Sequence, residues 1–220
     1  MSRQHFNIWR EALPNPSFFS LITEIRRTLK DCTTVLDLGC GDNSPMRFLN
    51  TAHLTGVDGY EPSLKKARSR GTHDEYLLAD VRKVDQLFQS RRFDACIALD
   101  VIEHLPKEDG WTMLAAMERL ATKRVVIFTP NGFVPQKSKN GDLQEHLSGW
   151  QADEMRQRGY TIIGMSGPKS LRGEYAALKH KPKFFWGMVS IFAHCLFTRR
   201  QPEKSFSIFC VKRLDDPQRK

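Results

Sequence analysis

From residue 34 onward the chain alternates between short apolar runs and longer stretches in which apolar residues recur every three or four positions. Val35 to Leu38, Leu54 to Asp58, Tyr76 to Asp80, Phe93 to Asp100 and Arg124 to Thr129 are of the first kind and read as strands. Pro16 to Lys30 is of the second kind: Phe18, Leu21, Ile22, Ile25 and Leu29 fall on one helical face, with Ser17 as a start signal. Glu61 to Arg70 reads as a helix with a basic outer side, and Asp109 to Leu120 as another, through Trp111, Met113, Leu114, Met117 and Leu120. Strand and helix alternate without a break. That is the pattern of βαβ units and of an α/β, doubly wound, mostly parallel sheet, whose ligands bind at the carboxyl ends of the strands.

The first strand runs into Gly39-Cys40-Gly41-Asp42-Asn43-Ser44. Glycine at 39 and 41 removes the side chains that would hold a ligand off the backbone and permits positive φ. Three strands in turn end in a carboxylate, at Asp58, Asp80 and Asp100. An acid closing the second strand, at roughly the spacing of Asp58 from the glycine loop, accepts hydrogen bonds from ribose hydroxyls in dinucleotide-binding folds. Its bland alternative is a turn residue before Gly59.

Together these stretches resemble the class I S-adenosylmethionine-dependent methyltransferases of the type 11 group. The resemblance rests on VLDLGCGDNS, LTGVDGYEP, YLLADVRKV, FDACIALDVIEHLPKEDG and RVVIFTPNG, in that order, from Thr34 to about Gly132. It implies a seven-stranded Rossmann-like sheet with an antiparallel last strand, S-adenosyl-L-methionine as cofactor and S-adenosyl-L-homocysteine as product. It also implies roles: Gly39 and Gly41 along the methionine part, Asp58 with Gly59 at the ribose, Asp80 at the adenine amine, and Val81, Leu99 and Asp100 around the adenine and the methionine amino group. Asp37 either contacts that amino group or braces the loop. Cys40 reads as a small packed residue without a basic partner in sequence.

A sulfonium already carries an electrophilic methyl group, so the protein mainly aligns the acceptor and excludes water, with at most one general base. Two histidines are candidates. His104 follows the fourth strand in Asp100-Val101-Ile102-Glu103-His104, where it reads as a pocket wall or a base. His146, in Gln144-Glu145-His146-Leu147-Ser148-Gly149-Trp150, lies in a Gly-, Asn- and Lys-rich loop. There it reads as a base on a closing loop or as a cap for a helix starting near Trp150, and it is the better base candidate of the two.

The expected organisation is a single domain over 1–220, with the cofactor core at 17–132 and the substrate side at 133–220. Gln151 to Arg158 reads as a helix, and Tyr160 to Met165 and Phe206 to Lys212 as two last strands, leaving 166–205 as a helical insertion before the final strand. That insertion carries the apolar run Phe184 to Phe197, flanked by Lys179, Lys181, Lys183, Arg199 and Arg200. Fourteen residues are too few to span a bilayer. Three readings stand: a helix packed with Phe185, Met188, Val189, Phe192, Cys195 and Leu196 inward, a lid over an apolar acceptor, or an interfacial helix making peripheral membrane contact.

Charge and cysteine usage narrow the partners. Residues 1–130 hold 18 Lys+Arg against 17 Asp+Glu, whereas 131–220 hold 16 against 8, so the basic excess is C-terminal and favours anionic partners. The five cysteines are scattered, which fits a reducing, cytoplasmic compartment, and none are paired as Cys-x-x-Cys; no metal is expected. No hydrophobic signal segment is read at the N-terminus. The acceptor reading is a small-molecule or lipid-linked, anionic compound. An RNA or protein methyltransferase and a non-catalytic cofactor-binding protein are the alternatives. Base-amine methylation of nucleic acid is disfavoured, because Asp100-Val101-Ile102-Glu103 stands where Asn-Pro-Pro-Tyr would be expected.

Overall fold

In the computed structural model, which describes residues 16–50, 52–137, 143–173 and 176–214, the apolar runs become seven strands. These are β1 (Thr34–Leu38), β2 (His53–Asp58), β3 (Glu75–Leu78), β4 (Phe93–Leu99), β5 (Ala121–Pro130), β6 (Thr161–Pro168) and β7 (Ser205–Arg213). The helices are α1 (Pro16–Thr28), α2 (Glu61–Arg70), α3 (Val84–Leu87), α4 (Lys107–Leu120), α5 (Ala152–Gln157) and α6 (Lys183–Ala193). The sheet order is β3-β2-β1-β4-β5-β7-β6. β1 pairs in parallel with β2 and β4, β2 with β3, and β7 runs antiparallel to β6. The expected doubly wound sheet with an antiparallel last strand is therefore the fold.

The chain divides into two compact units, one made of residues up to 99, 108–126 and 212 onward, the other of 100–107 and 127–211. In the first, Val35, Leu36, Leu38, Leu54, Val57 and Ile97 are fully buried, as parallel strands covered on both faces require. α1 buries Leu21, Ile22 and Ile25, and Leu29 just past its end is buried too, while Phe18, also in the expected stripe, is half-buried; each fully buried side chain contributes about 1.5–3 kcal/mol on leaving water. The register Leu38↔Val57↔Leu77 brings the ends of β1, β2 and β3 level. β3 stops at Leu78, short of the expected Asp80. The Asp80 carboxylate accepts the Arg82 N–H at 2.9 Å and caps a 3₁₀ turn, Val81–Lys83, which takes the backbone out of the ladder.

In the second unit Trp150, Ile208, Phe209 and Cys210 are fully buried. Asn131, just past β5, donates its N–H to the Phe206 carbonyl at 2.8 Å and its amide to the carbonyls of Pro202, Ser205 and Glu203 at 2.9, 3.0 and 3.1 Å.

α6 and its π-helical continuation His194–Thr198 overturn the packed-stripe reading. Of the stripe, Phe185, Met188, Phe192, Cys195 and Leu196 are exposed and Val189 is half-buried; Phe184 (84%) and Phe197 (57%) are exposed as well. The buried points of the segment are polar: Ser190 at 1% and Thr198 at 4%. β6 explains this inversion. A Cβ on Gly164 would overlap the Thr198 carbonyl, and one on Gly167, which has φ +76°, would overlap the Ser190 hydroxyl. The helix thus seats its small polar side on a glycine strip and turns its aromatic side to solvent.

Candidate active site

The turn after β1 is held by a buried polar knot. Gly39 and Gly41 both adopt left-handed φ, at 66° and 57°. The Gly39 and Cys40 N–H groups donate to the Val57 carbonyl at 2.7 and 3.1 Å. Beneath the loop, the buried Asp37 carboxylate accepts from the Ser44 hydroxyl at 2.5 Å and from His73 Nε2 at 2.9 Å. Ser44 in turn accepts the Met46 N–H at 3.1 Å, capping the 3₁₀ turn Pro45–Phe48. Asp37 is engaged as a brace. His73 carries no motif in the sequence and becomes visible only through β1–β2 pairing.

Asp58 closes β2 with each oxygen on one backbone donor: Oδ2 accepts the Gly41 N–H and Oδ1 the Tyr60 N–H, both at 2.7 Å. Each carboxylate oxygen keeps a further lone pair for a ligand hydroxyl. A Cβ on Gly41 would meet no atom within 4 Å, so the loop has room for a ligand against its main chain. Gly59 is exposed, and Val81 and Leu99 are half-buried. Asp80 is forked by Arg82, with contacts of 2.6 to 3.0 Å, and Arg82 also reaches Asp109 at 3.2 Å. The Arg82 guanidinium holds the Asp80 carboxyl below its ordinary range. Burial drives the Cys40 thiol strongly upward, so it is no nucleophile.

A second cluster lies in the other unit. Asp100 directly follows β4 with φ 53°, a left-handed conformation that a non-glycine residue adopts at a cost. Its carboxyl is hydrogen-bonded to that of Glu103, which is 2% exposed. Burial and then the Asp100 charge raise the Glu103 pKa well above its ordinary value. Glu103 Oε2 also accepts from the Thr129 hydroxyl at 3.0 Å.

The 102–105 turn is stitched to residues 145–150. Leu147 and Ser148 donate their N–H groups to the Glu103 carbonyl at 2.8 and 3.1 Å, and the Trp150 indole N–H and Ser148 hydroxyl donate to the Ile102 carbonyl at 3.1 Å. His104 and His146 therefore meet edge to face, ring centroids 4.9 Å apart. His146 is not the mobile loop residue expected: it is 9% exposed, and its N–H donates to the Gln136 carbonyl at 3.0 Å. Nor does it cap the next helix, since α5 begins with a capping box of Gln151 and Glu154. Most of the Gly-, Asn- and Lys-rich stretch, 138–142, lies outside the described residues.

A seven-stranded sheet in the order 3-2-1-4-5-7-6 with a glycine loop after β1 defines the class I S-adenosylmethionine-dependent methyltransferase fold. Residues 36–129 match the family model described as "Methyltransferase domain", and the match points to S-adenosylmethionine as the cofactor. Among solved structures it is similar to a SAM-dependent methyltransferase from Archaeoglobus fulgidus (TM-score 0.59, 14% identity, 88% of this chain and 93% of that one). It is also similar to the N-methyltransferase NodS from Bradyrhizobium japonicum, crystallised with S-adenosylhomocysteine (TM-score 0.59, 14% identity, 94% and 92%). Among curated proteins, "Probable tRNA methyltransferase 9B" of Bos taurus is 26% identical over 130 residues, 59% of this chain; the chain spans only 28% of that relative's length.

Proposed function

We propose that this chain transfers the methyl group of S-adenosylmethionine to a small apolar or lipid-linked acceptor presented at an anionic membrane surface. The observation that carries the acceptor reading is the outward-facing apolar side of α6. Water penalises exposed Phe184, Phe185, Met188, Phe192 and Phe197 together, whereas a lipid interface accepts them. Lys179, Lys181, Lys183 and Arg200 are exposed at the two ends of the segment, where they would meet phosphate headgroups. Beside it opens a groove of about 550 Å³ with Ala193 and Phe197 among its apolar walls and Lys169 and Lys204 at its rim, a lining suited to an apolar chain with an anionic head. Among the described residues no helix is long and apolar enough to cross a membrane.

In this reading Gly39 and Gly41 run along the methionine part of the cofactor, and Asp58 with Gly59 takes the ribose hydroxyls. Asp80 and Val81 take the adenine, Leu99 and Asp100 flank it and the methionine amino group, and Asp37 braces the loop. The bound cofactor supplies an electrophilic methyl group. His146 and His104, beside the buried Glu103, activate a neutral acceptor by drawing off its proton, with His146 as the first candidate base; carbonyls hold the backbone and ring of both. The test is incubation with methyl-labelled cofactor, cell extract and vesicles. Label in the lipid-soluble fraction, with α6-dependent sedimentation on anionic vesicles that salt reverses, supports the reading.

A second reading, RNA as acceptor, is favoured by the similarity to a probable tRNA methyltransferase and by the basic residues after 131. Label in the RNA fraction of the same incubation would replace the first reading with it.

A further inference from the structure

Glu103, His104 and His146, two of them adjacent and the third 42 positions on, form one cluster: a candidate ligand atom from each lies within 4.8 Å of the other two. Both imidazoles are set by main-chain carbonyls. His104 Nδ1 lies 3.0 Å from the Glu145 carbonyl, and His146 Nδ1 lies 2.6 Å from that of Val134. A carbonyl can only accept, so in each ring Nδ1 carries the proton and the lone pair sits on Nε2. Metal-ligating histidines are oriented in this way, by a carbonyl or carboxylate on the other nitrogen. The third member is oriented too, since Thr129 donates to Glu103 Oε2 at 3.0 Å.

We propose that Glu103, His104 and His146 bind a divalent transition-metal ion through Nε2 of each ring and a carboxylate oxygen. Two imidazoles and one carboxylate favour zinc, cobalt, iron(II) or manganese over magnesium and calcium, which take mainly oxygen ligands. Ligands of a tetrahedral zinc ion, at about 2.0–2.2 Å from the metal, stand about 3.4 Å apart, so loading draws the three side chains together. Three protein ligands leave a position open. Resting on the proposed methyl-transfer function, with the ion in place of a free imidazole as the activating group, that position takes an acceptor hydroxyl. The ion lowers the pKa of the bound group, the O–H bond breaks, the proton leaves to water and the oxygen keeps the electron pair as a nucleophile; the ion's charge does not change.

The experiment titrates untagged, chelator-stripped protein with Co²⁺ and follows the visible ligand-field bands, with Zn²⁺ as competitor. One Co²⁺ per chain is expected, displaced by Zn²⁺. His104→Ala, His146→Ala and Glu103→Gln should each weaken it more than about tenfold, since even outer-shell changes reach that size. His53→Ala is the control, because His53 also neighbours two carboxylates, Asp74 and Glu75, at 3.8 and 3.1 Å but on an exposed strand end; it should change nothing. Wild-type protein that shows no ligand-field bands at millimolar Co²⁺ overturns the proposal, whatever the variants do. So does Co²⁺ binding that survives the His104→Ala/His146→Ala double variant. Calorimetry with S-adenosylhomocysteine on the same samples reads the cofactor site separately, so a failed methyltransferase reading and a failed metal site are told apart.

Discussion

His73 Nε2 reaches Asp37 Oδ2 at 2.9 Å across the bare face of Gly56, the residue paired with Asp37 in the β1–β2 register. A Cβ on Gly56 would stand 2.9 Å from Cys40 Sγ and 3.1 Å from the His73 ring, so glycine is what lets the imidazole lie flat over the strand. His73→Phe leaves the buried carboxylate with Ser44 alone. Hydrogen bonds to charged groups contribute about 1.5–3 kcal/mol, and urea unfolding should show a loss of that size. Gly56→Ala should cost about 1–3 kcal/mol through overpacking. A His73→Phe protein as stable as the wild type would remove the brace role.

Asp58 joins the glycine loop to β2 through Gly41 and Tyr60, and in the proposed function also holds the ribose. Asp58→Ala is expected to weaken S-adenosylhomocysteine binding by about ten- to a hundredfold, the equivalent of one charge-assisted contact. Calorimetry measures it directly. Unchanged affinity would take Asp58 out of the cofactor site.

Once an acceptor is known, His146→Ala should lower turnover by about 10²- to 10⁴-fold, the usual value of a positioned proton acceptor, with cofactor affinity within about twofold of wild type. If proton removal is by the free imidazole, the acid limb of the rate profile should disappear with it. Persistence of that limb in His146→Ala and its loss in His104→Ala would move the role to His104.

The thiols sort by burial. Cys32, Cys40, Cys96 and Cys210 are buried and their thiols are pushed up by desolvation, whereas Cys195 on the π-helical segment is exposed. Under native conditions at pH 8, alkylation followed by mass mapping should label Cys195 alone among the five. Anionic vesicles should slow that labelling if the segment lies in a lipid interface.

Acid sensitivity has a source at β3. Arg91 donates to Glu75 at 2.7 Å and holds its carboxyl below the ordinary 4.5. The unfolded chain then takes up this proton before the folded one does, so the pair stabilises above about pH 4.5 and its contribution is lost as pH falls through the depressed value. Glu75 is partly exposed, so the effect is small. Glu75→Gln should flatten the acid limb of a stability–pH curve slightly and leave neutral stability little changed.

The sheet was legible because its strands are apolar on both faces and its helices on one; those periods survive in the sequence whatever the tertiary detail. The glycine loop and the acids at 58, 80 and 100 were legible for the same reason, being local in the chain, although β3 stops two residues before Asp80. Contacts set by pairing were not. His73 lies 36 residues from Asp37, and His146 42 residues from His104, and no spacing rule joins them. Asp80 shows the limit of motif reading: the acid stands where expected, yet Arg82, two residues on, already occupies it. The aromatic stripe of α6 misled in one of its three readings, because periodicity says that a helix has two faces and not which one the strand beneath has room for. The glycines at 164 and 167, sixteen or more residues before α6 begins, decided that.

The stitching of 145–150 onto the 102–105 turn separates two things that loops usually keep together. His146 is located by the bonds of its C-terminal neighbours and by the Gln136 and Val134 carbonyls, so its position does not depend on how the chain travels from 137 to 143. Changing the 145–150 bonds, by contrast, should move the imidazole, so the place of the ring and the sequence that leads to it can be altered one at a time.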